Sequence, residues 1–195
     1  MRRLSPALLL LLLPLAPLSP RAAPELYEID PTHTRVVFLV SHVGFSSMIG
    51  RFNKVDGRYQ LDEDNPETGW AEVTIETGSV DTGDEPLDAI LRSGDFFAAR
   101  EHPQIRFRGD RIERTGERTA KLWGELTLRG ITRPIALDVT FNRKGVHPVL
   151  GPLGPMVSGF SARTTIDRQQ FGMTALRGLV GDQVVLLIEV EGHKQ

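Results

Sequence analysis

The sequence predicts an all-β, antiparallel fold of about eight strands with one short helical insertion at about residues 84–100. Three observations predict it. Apolar and polar residues alternate with period two in run after run. Gly, Pro, Asn and Asp fall between the runs, at spacings that suit neighbours joined by tight turns. Only one segment carries apolar residues at helical spacing. At 195 residues the chain is long enough for one domain with a real core.

The first residues stand outside that pattern. "MRRLSPALLLLLLPLAPLSPRAA" has a basic start, a short leucine run and small residues at its end, the layout of a secretory signal. Residues 1–23 are therefore expected to be a signal peptide, and residues 24–195 the domain. Pro14 and Pro17 break the apolar run, which is too short to span a bilayer well. Cleavage is expected near Ala22 or Ala23. The rival is an uncleaved anchor, because Pro20 and Arg21 stand where a small residue is wanted. The chain has no cysteine, which excludes disulfides, thiolate nucleophiles, Cys-ligated metals and a lipoprotein anchor. Without residues 1–23 it has 20 basic and 25 acidic residues, a net charge of −5. That balance argues against nucleic acid as a partner. It also argues against strong attraction to an anionic membrane surface.

Strands are predicted over Leu26 to Asp30, Val36 to His42, and Ile49 to Leu61, the last bending near Asn53 to Gly57. "AEVTIET" puts Ala71, Val73 and Ile75 on one face. The helical insertion follows: Leu87, Ile90 and Leu91 share a stripe, Asp84 is a plausible N-cap, and Pro86 sits in the first turn. Gly94 is expected to end that helix, and Asp95 to cap a further turn carrying Phe96 and Phe97. Extended structure resumes after Pro103. "QIRFRG" points Ile105 and Phe107 one way, and "LWGELTLRG" aligns Leu122, Leu126 and Leu128. "PIALDVTFNR" gives the cleanest alternation, with Ile135, Leu137, Val139 and Phe141 on one side. "KGVHPVLGPLGPMVSG" reads as a long loop. "GFSARTTID" aligns Phe160, Ala162, Thr164 and Ile166, and "QVVLLIEVEG" aligns Val184, Leu186, Ile188 and Val190. Strands that each have one apolar face must pack as two sheets or close on themselves. A barrel of about eight strands can be filled by side chains or hold one small ligand. Periodicity alone leaves filled and hollow equally open.

Several hallmarks then occur in order. "YEIDPTHTRVVFLVSHVGFSSMIGRF", with its His42-x-Gly44-Phe45 corner, is followed by "TIETGSVDTG" and "LRSGDFFAAREHPQIRF". "GELTLRGITRPIAL", "GFSARTTIDRQQFGM" and "LLIEVEG" complete the set. In these the chain resembles the YceI-like family of periplasmic lipid- or polyisoprenoid-binding proteins over nearly the whole domain. The resemblance implies a lipocalin-like β-barrel with an elongated apolar lumen that holds an isoprenoid or another long amphiphile. It also implies a periplasmic location, no membrane anchor after signal removal, and no cofactor beyond the bound lipid. The proline-rich loop Gly145 to Gly159 is not a family hallmark, so a head-group preference does not carry over.

Candidate lining residues follow from the apolar faces. Phe38, Val40, Phe45 and Phe52 come from the first strands, and Ile75 from the next. Leu91 and Phe97 come from the insertion, and Phe107, Leu126 and Leu128 from the middle of the chain. Val139, Phe141, Phe160 and Ile188 complete the set. The sheet face of Val36 to Val40 stays open, because Val37 and Leu39 are apolar too. Of the adjacent rings, one is expected to pack the insertion on the barrel and the other to reach the lumen. Gly124 and Ala162 are expected to leave room inside. The five histidines lack zinc-binding spacing, and His42 reads as a hydrogen-bonded corner. Ser41 and His42 point to opposite faces and form no triad. Arg92, Asp95 and Arg106 read as an ion-pair cluster near the insertion, with Arg92 the candidate for a head group. No catalytic motif is present. The expected function is therefore carriage or sequestration, with a lipid-modifying isomerase or cyclase as the alternative.

Overall fold

The computed structural model describes residues 23–195. The predicted signal segment lies, but for its last residue, outside them. Eleven strands alternate with turns and one helix. They are β1 (Glu25–Ile29), β2 (Arg35–His42), β3 (Ser46–Phe52), β4 (Val55–Leu61), β5 (Trp70–Glu76) and β6 (Val80–Asp81). Helix α1 (Glu85–Arg92) precedes β7 (Gln104–Arg114), β8 (Thr119–Leu128), β9 (Ile131–Val146), β10 (Met156–Asp167) and β11 (Val180–Lys194). Every ladder is antiparallel. Eight strands close a ring in the order β1-β4-β5-β7-β8-β9-β10-β11, and β11 pairs back to β1.

The other three strands prolong this ring. β11 pairs with β1 through Gly192–Lys194 and with β2 through Glu189 and the residues before it. β2 pairs with β3 as β1 pairs with β4, and β3 with β6 as β4 pairs with β5. Three walls of the barrel are thus long strands broken in two. Local chemistry holds each break. At the first, the Asp30 carboxylate accepts from the Thr32 N–H and hydroxyl and lies 2.7 Å from His33 Nδ1. At the second and third, Asp81 accepts from Arg51 and Asn53. The single bent strand expected from Ile49 to Leu61 is therefore two strands, parted at Asn53 and Lys54.

The predicted loop is also shorter than expected. β9 runs on to Val146 and β10 begins at Met156, which leaves residues 147–155 between them. In the insertion, Asp84 occupies the N-cap position but its side chain makes no capping bond. Buried Asp88 reaches back instead, accepting from the Thr82 N–H and hydroxyl at 2.7 Å each. The helix stops at Arg92 with Ser93 as its C-cap, one residue before Gly94. The segment after it coils in turns, with Ala98 N–H donating to Ser93 and His102 N–H to Ala98.

The core is split in two. The larger cluster joins Val36, Phe38, Phe52, Val80, Ile105, Leu126, Leu128, Ile166, Phe171 and Met173 at the end capped by the insertion. A smaller one, of Tyr27, Ile29 and Tyr59, sits at the opposite end. The β2 register resolves the phase that periodicity left open: Val36 and Phe38 are buried inside, while Val37 and Leu39 face outward beside Leu187 and Ile49.

Candidate functional site

The candidate site is the apolar inner face of the barrel with the insertion that caps one end. Of the predicted lining residues, Phe38, Phe52, Leu126 and Leu128 are sealed inside the larger cluster, at 3–7 % exposure. Val40, Ile75, Leu91, Phe97, Phe107, Val139, Phe141, Phe160 and Ile188 lie on the same inner face or on the insertion that caps it, and are only half-buried. Inward-facing apolar side chains that keep accessible surface border unfilled space. Ile75, Leu91, Phe97, Phe107 and Ile188 pack against the larger cluster and Phe160 against the smaller one, while Val139 and Phe141 belong to neither. Val139 stands opposite Ala162, and Phe141 opposite Phe160 at 5.3 Å between ring centroids.

Phe45 does not line this space. It is 91 % exposed, in the turn between β2 and β3, where Val43 and Gly44 take positive φ and carry the chain out of the strand's phase. His42 is exposed beside it, and its carbonyl accepts from the Phe45 N–H. Gly124 also differs from its expected role: a Cβ there would lie 2.3 Å from the Arg108 carbonyl oxygen. That glycine lets β7 and β8 approach closely rather than leaving room inside.

The adjacent rings divide as the alternation suggests. Phe97 reaches inward to stand 5.3 Å from Phe52 and 6.1 Å from Phe38. Phe96 is buried under the insertion, where its carbonyl and that of Gly94 accept from Arg129. The expected cluster of Arg92, Asp95 and Arg106 does not form. Arg92 pairs with Glu85 at 2.5 Å, and Arg106 donates to Gln104.

The far end is closed by a polar network that sequence reasoning did not anticipate. Tyr27 stacks on Tyr59 at 5.2 Å, and Tyr59 donates to the Ser158 carbonyl and lies 2.6 Å from its hydroxyl. Burial, opposed by that hydroxyl, pushes the Tyr59 phenol up to about 12. Tyr27 donates to Glu25 at 2.7 Å, and Lys144 and Lys194 hold the same carboxylate at 2.5 and 2.7 Å. Burial alone would raise the Glu25 carboxyl; the two lysines and Tyr27 overcome it and bring it down to about 2.

A second missed residue is Arg133. The β8–β9 register runs without a bulge, so Arg133 stands opposite Leu126 on the inner face, between Ile131 and Ile135. It is nevertheless exposed. Counting alternate residues back from Ile135 finds it; starting the strand at Pro134 conceals it.

Among the described residues, the outer surface offers one group whose side chains could hold a cation. Asp30, His33 and Glu191 bring ligand atoms within 4.8 Å of one another, beside a cleft of about 340 Å³. The Asp30 carboxylate there is already engaged by Thr32 and His33, which makes the group a lock on the first strand break.

Comparison with known proteins places these features in a family. Residues 27–192 match the model of the YceI-like domain. A UPF0312 protein of Ectopseudomonas mendocina is 35 % identical over 171 residues, covering 87 % of each chain. The crystal structure of Burkholderia cenocepacia BcnA superposes with a TM-score of 0.75 at 22 % identity, covering 84 % of this chain and 98 % of that one. A polyisoprenoid binding domain from Saccharophagus degradans superposes with a TM-score of 0.65 at 16 % identity, covering 87 % and 98 %.

Proposed function

The chain belongs to the YceI-like domain family, and on that premise we propose that it is a binding protein, exported to the periplasm, that takes a long apolar chain into its barrel. The ligand class is a polyisoprenoid, an isoprenoid quinone or a fatty-acid-like lipid, and it leaves chemically unchanged. The observation that carries the reading is the inner face of the closed barrel, where apolar side chains stay only half-buried, Val139 and Phe141 among them outside both packed clusters. The polyisoprenoid binding domain among its structural relatives supports the ligand class. Burial supplies the affinity: at about 25 cal/mol per Å² of apolar surface removed from water, a modest chain gains several kcal/mol before association costs. An isomerase or cyclase would need an ionising group among those side chains. Ile75, Phe107, Val139, Phe141, Phe160 and Ile188 offer none.

Two tryptophan substitutions test that face. Val139→Trp adds a ring at a half-buried position outside both clusters, so on this reading thermal stability should change little while ligand content, read by mass spectrometry of organic extracts, falls. Leu128→Trp adds the same ring inside the packed cluster and should cost about 1–3 kcal/mol or more. Equal destabilisation by both, in protein that carries no lipid, would mean a solid barrel and end the reading.

A further inference from the structure

We propose that Asp30, His33, Glu191 and His193 form a binding site for a divalent transition-metal ion of the zinc class on the outer face of the barrel, at the seam where β11 closes on β1. The site is independent of the lipid-binding reading, and its test leaves that reading untouched.

Topology gathers the four side chains. Asp30 and His33 lie in the turn between β1 and β2. β11 runs beside that turn: Ile29 pairs with Gly192, and the Asp30 N–H donates to the Glu191 carbonyl at 2.9 Å. Gly192 faces inward, where a Cβ would lie 2.5 Å from the Tyr59 hydroxyl. Glu191 and His193 on either side of it therefore point outward. No spacing along the chain announces the set, because half of it comes from the first turn and half from the last strand.

The geometry suits a cation. Asp30 Oδ2 lies 2.7 Å from His33 Nδ1 and 3.6 Å from His193 Nε2. Glu191 brings a carboxylate oxygen within 4.8 Å of the Asp30 and His33 donor atoms. Donors on one tetrahedral zinc ion stand about 3.3–3.5 Å apart, so small side-chain movements close the set around an ion. The Asp30 side chain is only 10 % exposed, and its other oxygen accepts from the Thr32 N–H and hydroxyl at 2.8 and 2.6 Å. That turns Oδ2 toward the imidazoles, as outer partners orient a ligating carboxylate. Among the described residues no lysine or arginine pairs with Asp30 or Glu191, and Arg35, next to the turn, gives its guanidinium to the Pro31 and Thr34 carbonyls. Two carboxylates with two neutral imidazoles leave two negative charges for a divalent ion to neutralise. Imidazole donors favour zinc or copper over calcium and magnesium, which take oxygen ligands. The adjoining cleft of about 340 Å³ gives the ion a way in; His147 lines it too, and its buried Nδ1 has no hydrogen-bond partner. Without metal the Asp30–His33 contact locks the strand break alone; with it the same lock reaches across to β11.

The test titrates chelator-treated native protein with zinc chloride, read by isothermal calorimetry and by the melting temperature. One ion per chain should bind, and the melting temperature should climb with zinc concentration, since the ligands converge only in the folded chain. Magnesium and calcium at the same concentrations should leave it unchanged. The His193 ring makes no close bond in the metal-free protein. His193→Gln should therefore melt with the native protein when zinc is absent, while its zinc affinity falls at least about tenfold. Glu191→Gln should behave alike. His33→Gln, which also breaks the contact with Asp30, should lower both stability and affinity. Ring-nitrogen NMR signals should shift on zinc addition at His33 and His193, and stay in place at His42. No zinc binding, a rise in melting temperature that magnesium reproduces, or full zinc affinity in His193→Gln overturns the site.

Discussion

Two side chains set conditions on their neighbours that substitution can measure. Gly50 lies opposite Phe38 across the β2–β3 ladder, and a Cβ there would sit 2.2 Å from Phe38 Cζ. The glycine is a seat for the ring. Gly50→Ala should cost about 1–3 kcal/mol in urea unfolding, and Phe38→Leu in the same chain should recover part of it as a coupling energy. Arg168 is 3 % exposed and donates to the carbonyls of Met173, Ala175, Val180 and Gly181 at 2.6–3.1 Å, with Asp182 3.4 Å away. A single guanidinium therefore holds the loop from β10 to β11 in shape. Arg168→Met should cost about 3–5 kcal/mol, because it leaves those acceptors buried without a donor. Limited proteolysis should then cut first between Met173 and Leu179.

At the scale of strands and helix, the polar end of the barrel predicts a pH dependence. The Glu25 carboxyl is held near 2 in the folded chain against an ordinary 4.5, so its contribution is complete above about pH 4.5 and fades as pH falls toward 2. Lys144, whose burial is outweighed by its bonds to Glu25 and Glu63, is held above its ordinary value and loses its contribution as pH rises past 10.5. Glu25→Gln should flatten the acid limb of a stability–pH profile and cost about 1–2 kcal/mol at neutral pH, after allowance for solvent screening at this partly wet end. None of this network was legible beforehand. Glu25, Lys144 and Lys194 lie on three strands far apart in sequence, and only the register brings them together. The strands themselves were legible, because alternation reports which face is buried. It fell silent on Val36 to Val40, where both faces are apolar. It misled at Phe45, where a turn with positive φ breaks the phase. It parted Leu26–Asp30 from Val36–His42 as the structure does, but gave no warning of the break at residues 77–79, where Asp81 is held by Arg51 and Asn53 of the neighbouring strand pair rather than by any apolar period.

For the molecule as a whole, the lumen exists only when the ring is closed, and the ring is closed by its most distant parts. Tyr27 pairs with Lys194, and the Gln195 N–H donates to the Leu26 carbonyl. Contacts of that separation place the barrel among slow folders, with refolding expected on the scale of milliseconds to seconds. Joining residue 195 to residue 24 with a short flexible linker and opening the chain between Gly116 and Glu117, in the exposed β7–β8 turn, should keep the fold and its stability while raising the refolding rate in stopped-flow measurements. An unchanged rate would mean that closure of this seam is not the slow step. The seam bears on biosynthesis as well. The strand that shuts the barrel is made after every other wall, so a nascent chain stays an open sheet, its future inner face bare, until β11 has emerged from the ribosome. A sheet that needs guarding until β11 arrives is a natural client for holding chaperones.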